Sequence, residues 1–357
     1  MGENRVKLES AFSQQGKWGF VMATVTDYIT TKPSTGPVRP FDVRRDLSRV
    51  ADLVELCFND TLDRDGQRYL QQMRSASRNQ SYLQWAGLLA ERTSMPLSGY
   101  VWEENGQLIG NLTLIPYYSI GRRYYLIANV AVHPDFRRRG IASTLTSEAI
   151  NHAQQRGAQS VWLHARQENA GAVQLYQAAG FAERARRTTW LCENRPQADL
   201  LFRSKEENQS RGKNKVTVGA RRSSDWNTQL RWFERLYPPE LTWHLSLNPN
   251  TLRPGLRGFL YRLFNDIQIQ QWSAYVEKKL IGVLTWQASK AYADYIWIAT
   301  REDNEELAVE SLLTHARKHL NSLRPISLDY PAGRASDAIL TAGFKPHQTL
   351  IWMALDL

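Results

Sequence analysis

The stretch HPDFRRRGIASTL, residues 133–145, contains three consecutive arginines followed directly by a glycine. It stands between an apolar segment, RRYYLIANVAV, and a segment with helical apolar spacing, so it is predicted to be a strand-to-helix turn. The start of a helix leaves several backbone N–H groups without partners, and the helix dipole adds partial positive charge there. Together with Arg137, Arg138 and Arg139, this turn is expected to bind an anion such as a phosphate.

The residues that follow the arginines suit an anion site of this kind. Gly140 lets a phosphate come close to the backbone because it has no Cβ. Ile141, Ala142 and Ser143 supply further backbone amides, and the last two keep the first helical turn small. The alternative interpretation is a basic loop that caps an ordinary helix. The buried strand before the turn and the regular helix after it favour the anion site.

Two motifs in this part of the chain resemble those of the GCN5-related N-acetyltransferase (GNAT) superfamily. NVAVHPDFRRRGIASTLTSEAI resembles motif A, whose Arg/Gln-x-x-Gly-x-Gly/Ala signature falls on Arg137, Gly140 and Ala142. ENAGAVQLYQAAGF resembles motif B, whose pattern falls on Asn169, Ala172, Leu175, Tyr176, Gly180 and Phe181. The resemblance covers residues 38 to about 193. It implies acetyl-CoA bound in a cleft where two neighbouring parallel strands splay apart.

The resemblance also implies a role for individual residues. The backbone amides from Arg138 through Ser143 would hold the pyrophosphate of acetyl-CoA. Val130 and Val132 would pair their backbone with the pantetheine arm and orient the thioester carbonyl, and Asn169 would contact the pantetheine or the start of its own helix. Tyr176 would protonate the departing thiolate. A simple helix N-cap is the alternative for Asn169, and a core aromatic residue is the alternative for Tyr176.

The reaction implied by the resemblance is direct attack of a neutral amine on the thioester, which needs a proton acceptor and donors that stabilise the oxyanion. Many members of the superfamily carry a glutamate early in the motif A strand, where this sequence has Ala128. Glu103, Glu104 and His133 are weaker candidates for the base. A water relay, or an acceptor amine of low pKa, would remove the need for a strong base.

The segments around these motifs show alternating strand and helix patterns. A short strand is predicted at VRPF, helices over 43–58 and roughly 65–90, and a hairpin over 99–120. The later predicted elements are a strand at 122–132, a helix at 140–157, a strand at 158–166, a helix at 169–181 and a strand at 186–194. Gly157 and Gly180 are expected to end the two helices.

The second half of the sequence repeats the order of the first. GYVWEENGQLIGNLTL, YYLIANVAV, LTSEAINHAQQRGAQSVWL and VQLYQAAGFAERARRTTWL match SAYVEKKLIGVLTW, ADYIWIAT, LLTHARKHLNSLRPISL and DAILTAGFKPHQTLIWM. The sequence therefore predicts an α+β fold with tandem GNAT-like domains, each a mixed, centrally splayed β-sheet flanked by helices. The predicted divisions are an N-terminal extension over 1–37, a catalytic domain over 38–193, a linker over 194–215 and a degenerate domain over 216–357.

The second repeat lacks the residues of the anion site. Aligning TREDNEELA with HPDFRRRGIA puts Asp303, Glu305 and Glu306 at the positions of Arg137, Arg139 and Gly140. Carboxylates at these positions would repel a phosphate. Ile339 stands at the position of Tyr176. The second domain is therefore expected to have kept the fold and lost acetyl-CoA binding.

Composition and charge narrow the class of protein. The 357 residues are 42% hydrophobic, which suits two globular domains. No apolar run reaches the roughly 20 residues of a membrane span, and no signal-peptide pattern is present, so a cytoplasmic protein is expected. Cys57 and Cys192 have no metal-ligand spacing, and no metal is expected.

These observations favour an acetyl-CoA-dependent N-acetyltransferase that acts on a primary amine of a small molecule or peptide. The N-terminal domain would be active, and the C-terminal domain would be structural or would shape the acceptor site. A non-catalytic acyl-CoA-binding regulatory protein is the alternative, because the glutamate is missing from position 128. The net charge of +10 would suit nucleic acid. That partner is less favoured because the basic residues over 203–222 lie mostly in the predicted linker.

Overall fold

The structure is a computed structural model that describes residues 37–62, 64–89, 94–119, 121–193, 216–238, 241, 249–320 and 324–357. The predicted linker and all but the last residue of the predicted N-terminal extension lie outside these residues. The chain forms two compact units. The first unit contains the residues up to Arg184 together with Ile351–Leu357, and the second contains Ala185–Leu350. Among the described residues, no helix is both long and apolar enough to cross a membrane.

The first unit has the predicted order of strands and helices, except that the helical pattern predicted over 65–90 forms two helices. Its strands are β1 Val38–Pro40, β2 Ser98–Glu104, β3 Gln107–Ser119, β4 Arg122–Val132 and β5 Ser160–Arg166, and its helices are α1 Val43–Phe58, α2 Arg64–Ser77, α3 Gln80–Leu89, α4 Ile141–Gln155 and α5 Ala170–Ala178. The strands lie in the order β1-β2-β3-β4-β5, followed by the end of the last strand of the chain. Strand β4 pairs antiparallel with β3 and parallel with β5, so the sheet is mixed as predicted.

Helices cover both faces of this sheet and define two cores. One core joins α4 and α5 to side chains such as Leu112, Ile127 and Leu163, and we call this side the α4–α5 face. The other core joins α1, α2 and α3 to side chains such as Val101 and Ala131, and we call this side the α1–α3 face. Because side chains alternate along a strand, neighbours of a residue in one core point towards the other face.

The second unit repeats the element order of the first. Its strands are β6 Ala182–Cys192, β7 Val216–Ala220, β8 Ile269–Val276, β9 Lys279–Gln287, β10 Asp294–Thr300, β11 Ile326–Pro331 and β12 Lys345–Asp356, and its helices are α6 Trp226–Leu236, α7 Pro249–Leu252, α8 Gly255–Phe264, α9 Glu305–His319 and α10 Ser336–Thr341. The strand order is β6-β11-β10-β9-β8-β7. The predicted duplication of one α+β unit is therefore confirmed.

The last strand of each repeat is built into the other unit. Strand β6 follows α5 in the chain, yet it pairs antiparallel with β11, from Arg187 opposite Pro331 to Cys192 opposite Ile326. Residues 351–357, the end of β12, lie beside β5, where the amide of Leu357 donates to Gln159 at 3.0 Å. The compact units therefore divide at Arg184 and at Leu350. The sequence placed the division in the linker, because it assigned each last strand to its own repeat.

Two matching glycines show how α4 and α9 correspond. A Cβ on Gly110 would lie 2.8 Å from Ile141, and a Cβ on Gly282 would lie 2.9 Å from Ala308. Ile141 and Ala308 are therefore equivalent, which puts Leu307 rather than Glu306 at the position of Gly140. The sequence alignment was wrong by one residue here. In the first unit, four residues separate the 3₁₀ turn Pro134–Phe136 from Ile141. In the second unit, only three residues separate the 3₁₀ turn Glu302–Asn304 from Ala308.

Candidate active site

Strands β4 and β5 run parallel but pair only over their first halves. The last pair joins Ile127 to Leu163, whereas β4 continues to Val132 and β5 to Arg166. The carboxyl ends of the two strands are therefore not paired with each other, and a cleft opens between them. This is the splayed sheet that the resemblance implied.

The edge of β4 that faces this cleft carries the backbone of Val130 and Val132. The amide of His133 donates to the carbonyl of Ile109 on β3 at 2.8 Å. Backbone groups alternate between the two edges of a strand, so the groups of Val132 face the opposite edge, towards β5. The carbonyl of Val132 accepts a hydrogen bond from Arg137 Nε at 3.2 Å. The backbone of these two valines thus lies on the edge of β4 that β5 leaves unpaired, and their contact with a pantetheine arm stays a prediction.

A bulge distorts β4 at the mouth of the cleft. The pairing of β3 and β4 shifts between Asn111 and Thr113, and Asn129 adopts a φ of +49°. Asparagine tolerates this left-handed conformation better than most residues do. The buried Asn111 side chain donates to the carbonyl of Asn129 at 2.8 Å, and Asn129 Nδ2 donates to the Tyr69 hydroxyl at 3.3 Å. Burial raises the pKa of Tyr69 to about 12, so this hydroxyl stays protonated.

The turn after β4 presents a row of backbone amides that bind no other part of the described chain. Arg138 has a φ of +65° and Gly140 a φ of +79°, and α4 begins at Ile141. The first amide to enter the helical pattern is that of Thr144, which donates to the carbonyl of Gly140 at 3.0 Å. None of the six amides over 138–143 donates to a described residue. Successive amides left unused at a helix start form an anion-binding geometry.

The three arginines of the turn are exposed, and two of them are held in place. Arg137 donates to the carbonyl of Val132, as described above. Arg139 donates to Glu104 at 2.9 Å and lies over the ring of Phe136. Arg138 makes no hydrogen bond or ion pair with any described residue. The arginines therefore add positive charge at the rim, while the backbone forms the concave surface.

Asn169 and Tyr176 are both on or beside α5. Asn169 is the N-cap of this helix, and its side-chain oxygen accepts from the amide of Ala172 at 3.0 Å. Tyr176 is 7% exposed and packs against Phe181 in the α4–α5 core. Burial raises the pKa of Tyr176 to about 12, so its hydroxyl keeps its proton at neutral pH. Both structural alternatives are thus realised, and neither prevents the expected roles.

The candidate bases Glu103 and Glu104 are both engaged by positively charged or donor groups. Burial alone would raise the pKa of Glu103, but hydrogen bonds from Arg39, Arg49 and Arg45 outweigh it and hold the pKa at about 2. The hydrogen bond from Trp102, together with Arg139, lowers the pKa of Glu104.

His133 caps the 3₁₀ turn after β4, where its Nδ1 accepts from the amide of Asp135 at 3.4 Å. The structure therefore favours none of the three candidates as the base.

His164 on β5 lies at the start of the cleft, and no sequence motif singled it out. Leu126 pairs with Trp162 and Ile127 with Leu163, so His164 and Ala128 are the next residues of their strands, at the start of the unpaired region. The ring of His164 stacks on that of Trp352, with centroids 4.7 Å apart and planes 22° apart. Burial lowers the pKa of His164 to about 4. Only the strand register, which no local pattern encodes, brings this histidine to the cleft.

A family comparison agrees with this geometry. The model of the acetyltransferase (GNAT) family matches residues 55–181, all of them in the first unit. This part of the chain is similar to the GNAT acetyltransferases. The matched range includes the unused amides, the splayed strands and Tyr176, so the GNAT motifs and the site are the same part of the molecule.

Curated relatives match short parts of the GNAT unit. A ribosomal protein bS18 alanine N-acetyltransferase of Salmonella typhimurium is 44% identical over 55 residues, which are 15% of this chain and 37% of the relative. An uncharacterized N-acetyltransferase of Bacillus subtilis, YhfO, is 35% identical over 83 residues, 23% of this chain and 56% of the relative. The chain thus spans between about a third and just over half of the length of these relatives.

A solved structure extends the comparison of fold to both units. A GCN5-related N-acetyltransferase from Sphaerobacter thermophilus superposes with a TM-score of 0.51 at 14% sequence identity. The match covers 91% of this chain and 97% of that one. At this level of identity the similarity concerns the fold alone, and it includes the second GNAT-like unit.

The second unit lacks most features of the GNAT site. In it, α9 begins at Glu305, directly after the 3₁₀ turn, and no glycine precedes it. The carboxylate of Glu305 accepts hydrogen bonds from Tyr330 at 2.5 Å and Arg334 at 3.0 Å. Ile339 takes the place of Tyr176, since the amide of Phe344 donates to it as that of Phe181 donates to Tyr176. The start of α9 therefore carries acidic side chains and lacks the longer turn that precedes α4.

Proposed function

We propose that the first unit transfers an acetyl group from acetyl-CoA to an amine. The observation that carries this proposal is the row of six unused amides over 138–143, placed beside the end of the cleft between β4 and β5. A diphosphate needs several converging donors, and a thioester arm needs an unpaired strand edge. Both are present next to each other in the part of the chain that matches the GNAT family.

The residues of the first unit would have separate roles in binding and in proton transfer. Bound acetyl-CoA would supply an activated acetyl group as a thioester. The amides of 138–143 bind its pyrophosphate, with charge added by the arginines of the turn. The backbone edge at Val130 and Val132 holds the pantetheine arm, and Asn169 fixes the start of α5 beside it. Tyr176 keeps its proton at neutral pH because burial raises its pKa, and donates it to the leaving sulfur.

The second unit would be a non-catalytic partner in the same chain. A phosphate at the start of α9 would meet Glu305 and Glu306 where the first unit has arginines. Like charges at a partly desolvated site cost several kcal/mol. The second unit also completes the fold, because its chain continues into residues 351–357 of the first. It therefore acts as a structural support.

The acceptor is a primary amine of a small molecule or a peptide. A peptide is supported by the relative from Salmonella typhimurium, whose name specifies an alanine of a ribosomal protein. The cleft face near Asn129 and Tyr69 carries amide and hydroxyl groups, which suit a neutral amine better than a cation. An acceptor whose amine is largely neutral at working pH would match this environment.

A non-catalytic acyl-CoA-binding protein is the competing function. It is favoured by Ala128, which stands where many family members have a glutamate. It is also favoured because the carboxylate of Glu103 is already hydrogen-bonded by three arginines. The two functions share the pyrophosphate site and differ in turnover alone.

A thiol-release assay with acetyl-CoA distinguishes the two functions. The acceptor panel contains polyamines, aminoglycosides, amino acids and peptides with an N-terminal alanine. We expect release of CoA that depends on one acceptor class, together with acetyl-CoA-induced thermal stabilisation. Thermal stabilisation without turnover by any acceptor would support the binding protein and overturn the enzyme. Absence of both would overturn the acetyl-CoA site itself.

A further inference from the structure

The position of Ala128 has a neighbour that could replace the missing carboxylate. Strands β4 and β5 are in register up to Ile127 and Leu163, so His164 is the residue beside Ala128 on the adjacent strand. Paired strands lie about 4.8 Å apart, and beyond Ile127 and Leu163 the two strands separate to form the cleft. A side chain at 164 therefore starts across the beginning of the cleft from a side chain at 128.

His164 also points to the same face of the sheet as Ala128. Ile127 and Leu163 belong to the α4–α5 core, so the next residue on each strand points to the α1–α3 face. The stacking of His164 on Trp352 agrees, because the neighbours of Trp352, Ile351 and Met353, lie in the α4–α5 core.

Tyr176 lies in that same core, on the opposite side of the cleft. A thioester in the cleft would have Tyr176 on one side and His164 on the other.

We propose that His164 is the general base, which accepts the proton of the acceptor amine as it attacks the thioester on the α1–α3 side of the cleft. This inference rests on the proposed function. The acceptor nitrogen bonds to the acetyl carbon and the carbon–sulfur bond breaks. One proton passes from the nitrogen to the imidazole of His164, and Tyr176 gives its proton to the sulfur. Solvent then returns the proton from His164 to Tyr176, so that amine and acetyl-CoA become amide and CoA.

The surroundings of His164 suit this role. A neutral imidazole has one nitrogen that accepts a proton, and burial keeps His164 neutral at pH 7 because its pKa is lowered. The low basicity of this ring matches a nitrogen that becomes acidic once it has bonded to the acetyl carbon. The stack on Trp352, which is 2% exposed, restricts the orientation of the ring.

The carboxylates described on this face are engaged elsewhere. Asp46 accepts hydrogen bonds from Arg39 at 2.6 Å and 2.8 Å. Glu103 is held by the arginine cluster of Arg39, Arg45 and Arg49. Neither is placed on β4 or β5, whereas His164 is on the strand that forms the cleft. The structure thus favours the imidazole over these carboxylates as proton acceptor.

The test compares wild-type protein with His164→Gln in the thiol-release assay, using the acceptor that the wild type turns over. We expect kcat to fall by about 100-fold, the lower end of the contribution of a general base. The KM for acetyl-CoA and the acetyl-CoA-induced thermal shift should stay within about twofold of wild type. His152→Gln is the matched control, because His152 lies on α4, bonds the Tyr100 hydroxyl and is part of the opposite face.

A second variant keeps the test decisive if His164→Gln folds poorly. In His164→Ala, imidazole added to the assay should restore part of the lost kcat, which a purely structural histidine would not allow. The inference is overturned if His164→Gln keeps more than half of the wild-type kcat, or if imidazole restores nothing to a folded His164→Ala. Failure of the wild type itself to release thiol would instead count against the proposed function.

Discussion

Substitution of Gly140 by glutamate tests the pyrophosphate site most directly. A Cβ at this position would have no neighbour within 4 Å, so the added side chain extends into the open space in front of the turn. A carboxylate about 4 Å from a phosphate costs on the order of 4 kcal/mol at an effective dielectric constant of about 20. That energy corresponds to roughly a thousandfold increase in the Kd for acetyl-CoA.

The consequence is measurable as a lost thermal shift. At acetyl-CoA concentrations about 100-fold above Kd, the wild type gains about 2.7 kcal/mol of stability, and the variant would gain less than about 0.1 kcal/mol. For a unit of this size, the wild-type gain corresponds to an increase in Tm of roughly 5–10 °C. We therefore expect differential scanning fluorimetry to show a clear shift for the wild type and no resolved shift for Gly140→Glu.

Two further variants separate charge from backbone strain. Gly140 has a left-handed φ of +79°, which costs most residues about 1–2 kcal/mol. Asparagine tolerates this conformation, so Gly140→Asn should lose little stability and keep most of the shift. Glu306→Gln, at the equivalent helix start of the second unit, should leave the shift unchanged. An undiminished shift in Gly140→Glu would refute the assignment of the amides over 138–143 as the pyrophosphate site.

Three other substitutions probe the surrounding site. Tyr176→Phe should lower kcat in the thiol-release assay by about 100-fold without changing the acetyl-CoA-induced thermal shift, because the ring still packs on Phe181. Asn129→Val should lower stability by about 1–2 kcal/mol, since a β-branched residue is strained at a φ of +49°, whereas Asn129→Gly should cost less in thermal unfolding. Glu103→Gln should destabilise the first unit at neutral pH. Because the folded pKa of Glu103 is lowered from 4.5 to about 2, its contribution is complete above about pH 4.5 and is lost as pH falls through 2, so the Tm difference between wild type and variant should shrink over that range.

Local patterns in the sequence were sufficient to predict most elements of the fold. The hairpin of β2 and β3, the helix after the arginines and the stop at Gly157 follow from period and turn chemistry, and the structure confirms them. The helical pattern over 65–90 is two helices rather than one. Asn79 begins the second, because its side chain accepts a hydrogen bond from the amide of Tyr82 at 3.0 Å. A capping residue such as Asn79 does not interrupt the apolar spacing, so two consecutive helices show the same sequence pattern as one long helix.

Features that depend on strand partners could not be predicted in this way. The apolar pattern of β6 suits a last strand of either unit, and only its pairing with β11 decides the question. His164 has no motif around it, and its place beside Ala128 follows from a register between two strands. The one-residue error at Glu306 has the same origin, because it was corrected by the contacts of Gly110 and Gly282. Residue spacing along the chain predicts the type of each element, but it does not determine which strands pair or in what register.

The place of residues 351–357 has a consequence for how this protein is made on the ribosome. These residues are synthesised after the second unit, yet they form a strand of the first unit and include Trp352, against which His164 stacks. The first unit therefore waits for its final strand while the whole second unit is being translated. A nascent chain that stops anywhere in the second half leaves the edge of β5 uncovered. The first unit can therefore be completed only after the second unit has been translated.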